Sequence, residues 1–206
     1  YLSDQYVLET VHPKGYPVLL ALAQIIAGQD YYWILIHILQ AAADASVCLF
    51  LFNVCQFLFK SDKPGVITAV FWCIFPPAIS NSVQELPDAF ACFLMAWLIY
   101  AYYREYSKLW KRYVSLGVVL GLAQYFRPEF MYLFCLVLFA EFIRRVSIKK
   151  LLIEALAIFA MIMAIDSPWL IYSWKVSGKP SFSSTTAWGS AYEGIGYSYF
   201  NPDNIV

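Results

Sequence analysis

Residues 65–103 read GVITAVFWCIFPPAISNSVQELPDAFACFLMAWLIYAYY. Two apolar runs, Gly65–Ile79 and Ala89–Tyr103, flank a polar break, Asn81-Ser-Val-Gln-Glu85-Leu-Pro-Asp88. Each run is apolar enough to lie in hydrocarbon, and a carboxylate held there costs about 2.5–3.5 kcal/mol even on the mildest scale. Glu85 and Asp88 therefore need water, a partner or a ligand. Read with its flanks, this stretch predicts helix, outward loop, helix.

The rest of the chain agrees with that class. Hydrophobic residues make up 61% and charged residues 14%, with mean hydropathy +0.60, against about 45–50% and 25% in soluble domains. The expected fold is all-α: a polytopic transmembrane helix bundle with a juxtamembrane helix and short outer loops. Formal net charge is zero, so nothing points to nucleic acid. The five cysteines lie singly inside apolar runs without CxxC spacing, which suits small buried apolar side chains better than disulfides or zinc. The chain opens at Tyr1 in a polar stretch with neither a basic leader nor a cleavage site. The expectation is an internal fragment of a longer protein.

In order, the expected elements are an outer loop over 1–15 and a juxtamembrane helix over 16–27, closed by Gly28. The latter is too short for the roughly 20 residues of a span. Spans follow at about 31–59, 65–79, 89–103, 113–126, 130–143 and 151–165, with Pro76-Pro77 breaking the second. Gly117 and Gly121, four apart, predict a close-packed helix face. Residues 1–180 form part of one transmembrane domain, and 181–206 begin an extracytoplasmic segment. Loops on one side carry Lys60 and Lys63, then Arg104, Lys108, Lys111 and Arg112, then Arg144, Arg145, Lys149 and Lys150, which is ten of the fourteen basic residues. The positive-inside rule makes that side cytoplasmic. His12, Lys14, Glu85, Asp88, Arg127, Glu129 and Asp166 then share the outer side.

That outer set mixes cations suited to a phosphate with carboxylates suited to a base or a divalent metal. Competing structural roles exist for all but Glu85. Arg127 could pair with Glu129 or lipid headgroups, Glu129 and Asp88 could serve as first-turn acids after a proline, and His12 and Lys14 could touch headgroups. Glu85 has no evident structural duty. Deeper in the apolar region, His37, Gln40 and Asp44 share one helix face by their i, i+3, i+7 spacing. An interhelical hydrogen bond or a proton or ion path would explain them.

Several stretches taken in order carry a family likeness. His12-Pro-Lys-Gly-Tyr-Pro17-Val-Leu-Leu-Ala-Leu, closing at Gly28, resembles the PPGYPLLLAL…G segment of GT-C glycosyltransferases, such as the protein O-mannosyltransferase-like and lipid A aminoarabinose transferase-like enzymes. Glu85 in the loop after the third helix is similar in placement to their second acidic residue. Gly121-Leu-Ala…Arg127-Pro-Glu129 and Pro168-Trp169…Gly178 are similar to their GLA…RPE turn and PW…G exit. The likeness spans most of 12–200.

The resemblance implies an integral membrane enzyme of the cell membrane. It would move a sugar from a polyprenyl-phosphate donor to an extracytoplasmic lipid, glycan or protein acceptor. It implies that the basic residue beside the Pro-Tyr segment, His12 or Lys14, holds the donor phosphate together with Arg127, and that Glu85 is a secondary acid positioning the acceptor or a divalent metal; Glu129 is a further candidate for substrate binding. The family's principal Asp lies tens of residues ahead of the Pro-Tyr segment, so it is expected upstream of Tyr1. Two other readings remain open. One is an O-antigen ligase or polymerase; the other is a transporter or flippase running through His37, Gln40 and Asp44.

Overall fold

The structure, a computed structural model, describes residues 14–177. His12, the stretch 1–13 of the expected outer loop, Gly178 and the segment 181–206 lie outside the described residues. The helices are α1 (Gly15–Ala27), α2 (Tyr32–Phe59), α3 (Asp62–Cys73), α4 (Pro76–Val83), α5 (Asp88–Tyr103), α6 (Leu109–Phe126), α7 (Met131–Ile143) and α8 (Ile148–Ser177), with a 3₁₀ turn at Pro128–Phe130. No strand occurs among the described residues, so the chain is all-α there.

The helix ends follow local chemistry. α1 stops where Gly28 takes φ 79° and donates its N–H to Gln24 O at 2.9 Å, a conformation glycine adopts without steric cost. The apolar run over 65–79 does not stay one rod. It breaks at Ile74–Phe75, and α3 and α4 meet at a 53° bend. Pro76 and Pro77 occupy the first turn of α4, where a missing N–H costs nothing. Helix α4 continues through Asn81, Ser82 and Val83, so the non-helical break is only Gln84–Pro87, shorter than the eight-residue loop read from sequence.

By length and composition α2 is a candidate membrane span, and the bent pair α3–α4 is a second if taken as one broken span. α5 has 16 residues and α7 has 13. At 1.5 Å per residue these reach about 24 and 20 Å, short of a hydrocarbon core of about 30 Å.

The core forms where α5, α6 and α8 meet. Leu94, Leu98 and Ala101 of α5, Leu116, Val119 and Leu120 of α6, and Ile158 and Ile162 of α8 are buried together. The two glycines of α6 make the closest approach possible. A Cβ on Gly117 would stand 2.5 Å from Met161 Cβ and 3.1 Å from Ile158 O, and one on Gly121 would stand 2.9 Å from Ile165 Cδ1. Gly117→Val therefore has to push α8 away. A loss of about 1–3 kcal/mol is expected, as for other overpacked cores, visible as a lowered melting temperature in detergent. An unchanged melting temperature would mean that α6 and α8 do not touch there.

Helix α7 ends against the usual rule. Val146 N–H bonds to Glu141 O at 3.3 Å and Arg145 N–H to Phe142 O at 3.0 Å, the paired bonds of a Schellman ending. Arg145 holds the left-handed position at φ 55°, where glycine is usual and another residue costs about 1 kcal/mol.

Candidate active site

A cavity of about 580 Å³ runs along α5. Asp88, Ala91, Cys92, Met95, Ala96 and Ile99 line it at the spacing of a single helix stripe. From Asp88 to Ile99 that stripe is about 16 Å long. Val47 and Leu51 of α2 and Trp72 of α3 form the facing wall, and Arg127, Glu129 and Phe130 complete the lining. Since Asp88 begins α5, its charge and those of Arg127 and Glu129 stand at one end of an otherwise apolar groove. The alanines leave the width.

Arg127 reaches this place because Pro128 follows it. A residue before proline is driven out of helical conformation, and Arg127 is extended at φ −142°, ψ 110°. Its N–H still closes α6 on Ala123 O at 2.9 Å. Its guanidinium Nη2 forms an ion pair with Asp88 Oδ1. The side chains are 44% and 24% exposed, so the pair contributes about 0–1 kcal/mol and a tighter anionic ligand can displace it. Asp88 is the acid in the first turn of α5, and Glu129 that of the 3₁₀ turn after Arg127. Arg127 pairs with Asp88, not with Glu129 as sequence order suggested.

Lys14 lies beside this end of the molecule. It is 8% exposed, with Nζ 4.2 Å from the Trp169 ring centre and 5.6 Å from that of Tyr125. Burial lowers its pKa to about 8, against the attraction of Asp166, which lies one residue past the apolar run 151–165. Burial raises Asp166 to about 6, against the attraction of Lys14. The glycine of the His-Pro-Lys-Gly-Tyr-Pro segment makes this contact possible. A Cβ on Gly15 would stand 2.8 Å from Tyr125 O, so only glycine lets α1 seat on the end of α6, two residues before Arg127.

Glu85 is exposed in the bend after α4 and is not part of the groove lining. One buried amide holds that bend: Gln40 Nε2 donates to Gln84 O at 2.8 Å and to Leu86 O at 2.9 Å. His37 Nε2 is 3.1 Å from Val83 O, and Trp72 Nε1 donates to Asp44 Oδ1 at 3.0 Å. The polar stripe His37, Gln40, Asp44 thus ties α2 to α4, to the Glu85 bend and to the groove-lining Trp72. Glu85 acts electrostatically on Tyr16, whose hydroxyl is pushed up to about 12 by burial first and by Glu85 and Tyr32 next. Among the described residues no cluster of three His, Cys, Asp or Glu could hold a metal ion.

The sequence groups Asp88 with the outer polar residues but suits it to a first-turn role; its link to Arg127 joins residues 39 apart in the chain. Sequence reading gave no site role to Trp72. The local signal for Asp88 is an acid in the first turn of a helix, which fits a helix-start role as well as a site role.

The class is that of a membrane glycosyltransferase of the GT-C type, as the family match shows. The family is narrower. The model described as dolichyl-phosphate-mannose-protein mannosyltransferase matches residues 11–172, and the chain belongs to that family. No curated protein and no solved structure is significantly similar to it.

Proposed function

We propose that this chain is part of an integral-membrane enzyme that moves a sugar from a polyprenyl-phosphate donor to an acceptor on the extracytoplasmic side. The observation that carries the reading is the apolar groove along α5 ending at Arg127, Asp88 and Glu129. An isoprenoid phosphate has the same layout, one anionic head on a long apolar tail. The tail lies along Ala91, Met95 and Ile99, and the phosphate takes Arg127 from Asp88. Large apolar side chains cover the outside of the helices: Ile25, Leu49, Phe71, Phe142 and Leu156 are all more than 60% exposed. Lipid is the solvent that suits such a surface.

In the reaction the acceptor oxygen attacks the anomeric carbon as the bond to the donor phosphate breaks. The electron pair leaves with the phosphate, and the acceptor proton passes to a carboxylate. That base is an Asp ahead of the Pro-Tyr segment, a role the family likeness supports. Arg127 stabilises the departing phosphate as a preorganised donor. Lys14, charged below a pH of about 8, adds positive potential beside it, and His12 is the further cation of the same segment. Glu129, at the groove end, contacts the sugar, and Glu85 positions the acceptor from the bend that Gln40 pins. His37, Gln40 and Asp44 serve as the frame of this site, not as a transport path.

Glu85→Gln keeps shape and removes charge. In the full-length enzyme with a polyprenyl-phosphate sugar, a fall in kcat on the order of 10²-fold is expected for a mispositioned acceptor. Wild-type turnover would remove Glu85 from the site.

A further inference from the structure

The opposite end of the helices holds a second polar cavity, of about 390 Å³, between the start of α6, the end of α7 and the start of α8. Its walls carry Arg112, Arg144, Arg145 and Lys150 against Glu141 and Glu154, an excess of two formal positive charges. The six are not equivalent. Arg112 Nη2 is 2.6 Å from Glu141 Oε1, Arg112 Nη1 is 3.5 Å from Glu154 Oε1, and Arg144 Nη1 is 3.5 Å from Glu141 Oε1. Arg112 thus engages both carboxylates, which are 3% and 2% exposed, while Arg144, 60% exposed, reaches Glu141 alone. Arg145 and Lys150 stand exposed at its mouth.

Arg145 is the telling residue. It sits in the left-handed position that ends α7, where glycine would close the helix better. Non-glycine residues kept in that conformation gather at ligand clamps. Here the unfavourable backbone places a guanidinium on the rim of a cavity that already has a surplus of positive charge.

We propose that this cavity binds a phosphate group, with Arg145 and Lys150 as its ligands and the buried Arg112–Glu141–Glu154 network beneath them. The phosphate can come from the headgroup of an anionic phospholipid in the adjacent leaflet or from a free phosphate in solution. Basic pockets between membrane helices take lipid headgroups in this manner. The inference stands apart from the transfer reaction, since it uses neither Arg127 nor the groove along α5.

Purified full-length protein in phosphatidylcholine nanodiscs would be compared with nanodiscs containing one quarter phosphatidylglycerol, and with phosphatidylcholine nanodiscs plus 10 mM inorganic phosphate. Thermal stability and lipid retained in native mass spectrometry are the readouts. Phosphatidylglycerol, phosphate or both should raise the melting temperature of the wild type; a rise with lipid alone identifies the headgroup, and a rise with phosphate identifies the free anion. In Arg145→Gly/Lys150→Gln the rise should vanish and binding should weaken by about fivefold for each basic residue removed. The same variant should melt no lower than wild type without the anion, since glycine suits the position, and Lys150→Gln alone gives a second test. An equal anion-dependent rise in wild type and both variants, or no rise with either anion, would overturn the proposal.

Discussion

Arg127→Ala in the full-length enzyme is expected to lower kcat/KM for a polyprenyl-phosphate sugar by about 10²–10³-fold, the loss typical when one preorganised donor to a developing anion is removed. Stability should hardly change. The pair that Arg127 makes with Asp88 is 44% and 24% exposed on its two sides and contributes less than about 1 kcal/mol. Unchanged melting with collapsed turnover separates a phosphate ligand from a structural ion pair. Arg127→Lys should fall between, because an ammonium keeps the charge and loses the two-pronged fit to a phosphate. Wild-type turnover in Arg127→Ala would refute the donor site at the groove end.

The largest stability effect is expected at the other end of the molecule. Arg112→Ala leaves the Glu141 and Glu154 side chains, 4% and 2% exposed, without their shared cation. The Arg144 contact to Glu141, at 3.5 Å from a side chain 60% exposed, is too solvated to replace it. Removing one partner of a buried charge network costs about 3–5 kcal/mol, so the variant should melt far below wild type or fail to accumulate. The cost comes from stranded charge, not from lost attraction. Arg112→Leu combined with Glu141→Leu and Glu154→Leu should therefore recover most of the stability. If Arg112→Ala melts like wild type, the carboxylates are reached by water and the network is not a buried one.

The two ends also differ in how they could be read from the chain. The basic clusters at 104–112 and 144–150 stood out as charge, and the expectation was a solvated cytoplasmic face. Folding turned part of that face inward, because Glu141 and Glu154 lie on the apolar runs of α7 and α8 and draw Arg112 down to them. Nothing in the spacing of Arg112, Glu141 and Glu154 announces that meeting; it depends on which helices pack side by side. The same holds for the polar stripe of α2. Its periodicity put His37, Gln40 and Asp44 on one face, yet whether that face met water or a neighbour was undecided until the bend after α4 and the Trp72 indole were found against it.

Composition and order alone determined the helical class, the apolar and polar segments, the close-packing role of Gly117 and Gly121, and the likeness of the Lys-Gly-Tyr-Pro, Arg-Pro-Glu and Pro-Trp stretches to one family of glycosyltransferases. Those are properties of short windows, set by helix periodicity and local backbone preference. The Asn81–Asp88 break, read as one loop with Glu85 as its active acid, was divided by the tertiary structure. Its first three residues continue a helix, Gln40 holds the carbonyls on either side of the exposed Glu85, and Asp88 meets Arg127 at the groove. That division could not be read locally, because an ion pair across 39 residues and a bend pinned by an amide on another helix exist only once the helices have packed.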